Sequence, residues 1–188
     1  MPEDYQSEWA SLPDSADFQH GDTVYSVCHN CLNITEETKS GVRAASLWEL
    51  ILEDESFPYP AYKGMKVTVQ DCWRSKERLS EQKAVRSLLE KMNISFVELE
   101  DNYDRPDFCG NSLYRPQPPR NPLIAPRHYV ENAKGKFLPH TPEEQKVLME
   151  EYCGRFHTET VVCYCHYCLE GLLLGGADGR HIAELLFP

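Results

Sequence analysis

Two stretches of this chain repeat one pattern. Cys28-His-Asn-Cys-Leu32 and Cys165-His-Tyr-Cys-Leu169 each follow a short β-branched run, Thr23–Val27 and Thr160–Cys163. After a Gly-containing turn, each leads to a similar apolar segment, Ser46-Leu-Trp-Glu-Leu-Ile51 and His181-Ile-Ala-Glu-Leu-Leu186, so that Leu47, Glu49 and Leu50 fall opposite Ile182, Glu184 and Leu185. A single Cys-x-x-Cys arises readily by chance. Two copies of the same strand–CHxCL–helix–gap–helix unit point to duplication of a structural unit. The unit also restricts the backbone: a strand must hand over to a helix at the first cysteine. Two sulfurs then share one turn, and the amides of the helix N-terminus favour thiolate there.

Between the copies the chain alternates strand and helix. Met65–Gln70 reads as a strand with Cys72 just past its end. Ser80–Met92 reads as an amphipathic helix, with Ala84, Val85, Leu88, Leu89 and Met92 at helical spacing. Ile94–Leu99 is the next strand, which makes a βαβ unit and a parallel sheet. The expected fold is therefore α/β, a parallel-sheet core flanked by helices. Phe57-Pro-Tyr-Pro60 breaks regular structure and marks a boundary. It separates a short module (22–60, after a polar arm over 1–21) from a cysteine-rich unit (61–188). Seven prolines between Tyr114 and Pro142 make 114–142 an irregular insertion. Thr141, Pro142 and Glu144 form a capping box for a helix to about Phe156. Gly175-Gly176 and the run Gly176–Gly179 read as turns, and His181–Phe187 as a last short helix.

The chain carries a formal charge of −11, which repels phosphate backbones and argues against nucleic acid and anionic membrane surfaces. No apolar run is long enough to span a bilayer and no secretory signal is visible, so a reducing, cytoplasmic setting is expected. Eight cysteines in such a setting point to metal or catalysis rather than to a disulfide framework. Cys28 and Cys31 are separated from Cys165 and Cys168 by most of the chain, which excludes a zinc ribbon. Leu32 and Leu169 follow the second cysteines where c-type haem needs His.

Cys72, Cys109, Cys165 and Cys168 follow strand ends or turns that a parallel sheet brings to one carboxyl edge. They form a candidate four-thiolate set, which suits one [4Fe–4S] cluster or one Zn²⁺. The run Asp71-Cys72, Ala84-Val-Arg86, Phe96-Val-Glu-Leu99, Cys109-Gly110 and the final Cys-x-x-Cys resembles the cysteine-rich CCG domain of heterodisulfide reductases. That domain also occurs in iron–sulfur components of anaerobic glycerol-3-phosphate dehydrogenase and in lactate-utilisation proteins. The resemblance covers about 64–113 and 160–188, and 22–56 looks like the tail of a preceding, truncated repeat. Phe108 stands where the family has the first cysteine of Cys-Cys-Gly, and Asp71 where it usually has proline. Four of the family's five cysteines are thus matched. The resemblance implies an iron–sulfur oxidoreductase component that transfers electrons or reduces a disulfide, working with a ferredoxin-like or flavoprotein redox partner. A zinc-stabilised binding or assembly module is the alternative, and a cluster-free thiol–disulfide oxidoreductase using a CHxC pair is a third reading.

Other residues have simpler expectations. Cys28 and Cys31 are additional metal ligands or retained thiols. Cys153 and Cys163 are expected in the core. His29 and His166 hold equivalent places; donation to a thiolate is one role, a solvent-facing helix start the favoured one. Arg74, Lys76, Glu77 and Arg78 are expected as a solvated helix start, with anion binding or thiolate stabilisation by Arg74 and Lys76 as the other reading.

Overall fold

The computed structural model describes residues 18–188, so most of the polar arm expected over 1–21 lies outside the described residues. The chain opens with β1 (Thr23–Ser26), α1 (His29–Thr38), β2 (Arg43–Ser46) and α2 (Leu47–Glu53). It continues through β3 (Lys66–Gln70), α3 (Leu79–Lys91) and β4 (Ser95–Glu98) to α4 (Arg120–Ile124), α5 (Pro142–Cys153), β5 (Thr160–Cys163), α6 (His166–Leu174), β6 (Asp178–His181) and α7 (Ile182–Leu186). Short 3₁₀ turns span Trp73–Ser75 and Gly110–Tyr114, and a π turn spans Arg127–Glu131. Among the described residues there are two sheets, both parallel: β1 beside β2, and a four-stranded sheet in the order β4-β3-β5-β6. The α/β architecture expected from the alternation is the one observed.

The duplicated unit is a duplicated fold. In the first copy β1 pairs with β2 across α1, and Ser26 lies level with Ser46. In the second, β5 pairs with β6 across α6, and Cys163 lies level with His181. Ser46 and His181 then cap α2 and α7, each with a reciprocal bond from its own N–H to Glu49 or Glu184 at 2.8 Å. Local sequence patterns miss β2 and β6. Asp178-Gly-Arg-His181 has almost no β propensity, and Gly176–Gly179 reads as turns; backbone pairing with β5 alone makes 178–181 a strand. Likewise His181 ends a strand and caps the last helix rather than belonging to it.

Strands β3 and β5 are buried on both faces, as central parallel strands are. Val67, Val69, Val162 and Tyr164 pack with Ala84, Val85, Leu88 and Leu89 of α3 and with Trp48 and Ile51 of α2 in one apolar cluster. Val161, Cys163 and Cys165 alternate to the opposite face, where they meet Met149 of α5 and Leu172 of α6. Helix α3 ends at Met92 in a Schellman motif: Asn93, in the left-handed region at φ 58°, bonds to the Glu90 carbonyl, and Ile94 bonds to that of Leu89. The insertion is irregular, as its prolines require, yet it is docked. The Glu37 carboxylate accepts from the amides of Arg127 and His128 at 2.9 Å each, and Tyr129 is buried with its hydroxyl donating to Asn30.

A buried ion network ties the end of β3 to α3 and β4. Arg86 grips Asp71, which is fully buried, with bonds of 2.6 and 3.0 Å, and Glu98 with bonds of 2.7 and 2.9 Å. The Tyr164 hydroxyl (2.7 Å) and the Tyr103 amide (2.9 Å) complete the shell of Asp71. Removing the cation leaves a buried carboxylate unpaired, so Arg86→Met should cost about 3–5 kcal/mol in urea unfolding. Burial alone would raise the Glu98 pKa, but Arg86, Asn102 and Tyr103 outweigh it and hold Glu98 below the usual carboxylate value. That stabilisation is complete above the unfolded-state pKa and is lost as pH falls through the lowered folded one. Glu98→Gln should therefore flatten the acid limb of stability against pH.

Candidate metal centre

The register of β3 on β5 sets up the centre. Gln70 lies level with Cys163, so Cys72 and Cys165, each two residues further on, emerge side by side at the carboxyl edge. Cys72 caps the 3₁₀ turn Trp73–Ser75, and its sulfur accepts from the Arg74 amide at 3.4 Å. Cys165 caps α6, which carries Cys168 in its first turn. Cys109 arrives on the loop after β4, which is pinned by the Trp73 amide donating to the Phe108 carbonyl at 2.8 Å. Gly110, at φ +57°, then turns the chain flat against α6. A Cβ on Gly110 would strike the Tyr167 carbonyl, and one on Gly171 would strike the Gly110 backbone, so this approach needs both glycines.

All four sulfurs lie within 4.8 Å of one another, and all four residues are buried. Cys72 and Cys109 are 3.4 Å apart, and Cys109 and Cys165 are 3.9 Å apart. A tetrahedral ion with Zn–S bonds of ~2.3 Å places its sulfurs ~3.8 Å apart. The donor set thus fits a thiophilic metal: the four cysteines form a buried group that could hold a metal ion. Cys28 and Cys31, the additional candidate ligands, lie outside this group, Cys28 half-buried and Cys31 exposed.

Two cations face the sulfurs. Arg74 is buried, contrary to the solvated helix start expected of it. Its guanidinium donates to Cys109 and, at 3.3 Å, to the Ser112 hydroxyl, and it stacks on the rings of Trp73 and Tyr167 at 5.0 and 5.1 Å. Burial alone would lower its pKa, but the Cys109, Cys72 and Cys165 sulfurs raise it, so the group stays charged. His29 is also buried rather than solvent-facing; its Nε2 sits 3.1 Å from the Glu81 carboxylate. Burial pulls its pKa down, but Glu81 and Cys165 together hold it at about 10. His166, its counterpart in the repeat, is exposed. The repeat thus places the two histidines in one sequence context, and Glu81, more than fifty residues away on α3, with the edge-on Tyr164 ring, gives His29 its place.

The sulfurs divide accordingly. Hydrogen bonds from Cys109, Cys168 and Cys72, with His29 adding to them, bring Cys165 well below the ordinary thiol value against the effect of burial. Burial and Cys165 press Cys109 upward, but Cys168, Cys72 and Arg74 leave it lowered. Cys72 and Cys168 are raised, by burial first. Of the remaining candidates, Cys163 is core, its thiol 3.7 Å from the Cys165 carbonyl. Cys153 is half-buried, 3.7 Å from the Leu172 carbonyl. The Phe108 ring stacks on Tyr152, centroids 4.1 Å apart and planes at 12°.

A cavity of about 230 Å³ adjoins the centre, lined in part by Arg74, Trp73, Asn33, Arg78, Arg127 and His128. Its wall comes from α1, the turn after Cys72 and the insertion, a meeting that no local pattern announces. No family model, curated protein or solved structure matches this chain. Among the described residues, no helix is long and apolar enough to cross a membrane.

Cys72→Ser or Cys168→Ser should abolish stoichiometric metal binding, while Cys153→Ser keeps it, as read by metal analysis of the purified protein. Gly171→Ala should destabilise the fold by about 1–3 kcal/mol through overpacking against Gly110 and lower metal content with it.

Proposed function

We propose that this protein is an iron–sulfur redox protein, a component or relative of heterodisulfide-reductase-like oxidoreductases. Cys72, Cys109, Cys165 and Cys168 would hold a [4Fe–4S] cluster for electron transfer or disulfide reduction, their sulfurs moving apart from the present spacing, within 4.8 Å, to span the larger four-iron core. The observation that carries this reading is Arg74: one buried guanidinium touches a sulfur of the four-cysteine group and also lines the cavity beside it. A site with a cavity at its edge and a cation on one of its sulfurs is suited to changing charge. The sequence resemblance to the CCG domain supports the same reading.

When bound, such a cluster supplies one-electron exchange, with a potential set by burial, net charge and hydrogen bonds to sulfur. The chain's own residues supply those controls. Arg74 offsets negative charge at Cys109, and Glu81 holds His29 charged beside Cys165. Trp73, Phe108, Leu113 and Met149 exclude water. The charge of −11 suits docking to a basic face of a ferredoxin-like or flavoprotein partner.

A second reading, a zinc-stabilised binding or assembly module, is favoured by the sulfur separations, which bracket the edge of a tetrahedron around one ion. Metal and acid-labile sulfide analysis of protein purified without oxygen separates the two. About four iron and four sulfide per chain, with broad visible absorbance that bleaches on reduction, support the redox reading. About one zinc and no colour overturn it. In the iron-loaded protein, Arg74→Met should lower the reduction potential by on the order of 60 mV, a tenfold change in a one-electron equilibrium.

A further inference from the structure

We propose that Cys28 and Cys31 form a surface redox dithiol that reduces accessible disulfides by thiol–disulfide exchange, at a site separate from the four-cysteine group. The inference goes beyond the reading above and does not depend on which metal that group takes.

The repeat supplies the first argument. Cys28 and Cys165 both follow a parallel strand by two residues, and both cap a helix from extended backbone, at φ −104°, ψ 112° and φ −133°, ψ 126°. In the second copy this turn brings its two sulfurs within 4.8 Å. The first copy places Cys28 and Cys31 at the equivalent two positions, where the Cys28 thiol is a neighbour of Cys31. Burial first, and then the neighbouring Cys28 thiol, push the Cys31 thiol above its ordinary value and outweigh the pull of the Ser26 hydroxyl and Arg120.

Exposure supplies the second argument. Cys165 and Cys168 are buried, whereas Cys31 is exposed and Cys28 half-buried. Among the described residues, no third His, Cys, Asp or Glu completes a ligand group around this pair. Two sulfurs without further ligands have each other, or an incoming sulfur, as partners.

The turn is also held in place by its other side chains. His29 is locked on Glu81, Asn30 accepts from Tyr129, and Asn33 accepts from Arg78 at 2.9 Å. The two cysteines are thus presented on the first turn of a ten-residue helix that these contacts hold in place.

The exchange balances. Cys31, the more exposed of the two, loses its proton to solvent and as thiolate attacks one sulfur of a substrate disulfide, breaks its S–S bond and expels one thiolate. Cys28, as thiolate, attacks the Cys31 sulfur of the mixed disulfide, forms the Cys28–Cys31 bond and releases the second thiolate. Two electrons pass to the substrate, and its two thiolates take up the two protons given up by the cysteines. A dithiol reductant restores the pair by the reverse exchange.

The test uses the full chain with its metal bound. It is incubated with glutathione disulfide in one arm and oxidised insulin-type protein disulfide in the other, then alkylated and peptide-mapped. The expected result is an intrachain Cys28–Cys31 disulfide, a peptide lighter by two hydrogens and refractory to alkylation. It should form reversibly in one or both arms while Cys72, Cys109, Cys165 and Cys168 retain their metal. Reaction in only one arm supports the proposal and identifies the substrate as small or proteinaceous. Cys28→Ser should trap a stable mixed disulfide on Cys31, and the Cys28→Ser/Cys31→Ser double variant should lose the exchange but keep the metal content of the parent. Three outcomes overturn the proposal: no exchange in either arm, oxidation of the pair only after metal has left the four-cysteine group, or a chelator-sensitive dimer in which the pairs of two chains share a zinc ion.

Discussion

The centre depends on the parallel pairing of β3 with β5. That ladder sets Gln70 level with Cys163, and the two cysteines that matter lie at the same offset beyond it. In a parallel sheet every strand delivers its carboxyl end to the same edge, so one pairing aligns two sulfurs that are far apart in the chain. A slip of one residue would turn Cys72 or Cys165 toward the α3 face, because side chains alternate along a strand. The buried network of Asp71, Arg86, Glu98 and Tyr164 lies directly against this edge and joins β3, α3, β4 and the end of β5 through one guanidinium.

Four buried sulfurs pose an electrostatic problem as well as a geometric one. Thiolates withdrawn from water need opposite charge close by, and a metal alone leaves a tetrathiolate site net negative. Arg74 meets this need at Cys109, and Arg74 and His29 are both buried cations that their anionic neighbours keep charged. The dependence is mutual: cations and anions each tolerate burial because of the other. His29 brings in the first copy of the repeat, so α1 belongs to the surroundings of the second copy's cysteines even though its own lie outside the group. Glu81 and Glu37, reaching α1 and the insertion respectively, hold these parts together.

The two copies of the repeat share a backbone and differ in surroundings. Around Cys165 and Cys168, α5, the 3₁₀ turn Gly110–Tyr114 and the strand end of β3 close over the sulfurs. Cys28 and Cys31 sit beside the short β1–β2 pair and the insertion, and keep their access to solvent. One turn thus yields a buried pair within the four-cysteine group and a pair with one half-buried and one exposed thiol, and the packing partner makes the difference.

Much of the architecture was legible in the sequence because its signals are local. The apolar period of α3, the capping box at Thr141, the β-branched runs of β3 and β5 and the Cys-x-x-Cys turns each act within a few residues. So does the alternation of strand and helix that implies a parallel sheet, and with it the convergence of Cys72, Cys109, Cys165 and Cys168 on one edge. Strands β2 and β6 were not legible, since Arg43–Ser46 and Asp178–His181 take their conformation from a partner strand rather than from their own side chains. Nor were the burial of Arg74 and His29, the Gly110–Gly171 contact and the cavity beside Arg74. Each requires two segments far apart in the chain to meet, and the free energy of such a meeting lies in shared burial and paired charge. The sequence by itself therefore determined most of the elements and the convergence of the four cysteines; the tertiary structure decided which charges surround those sulfurs and which cysteines remain nearer the surface.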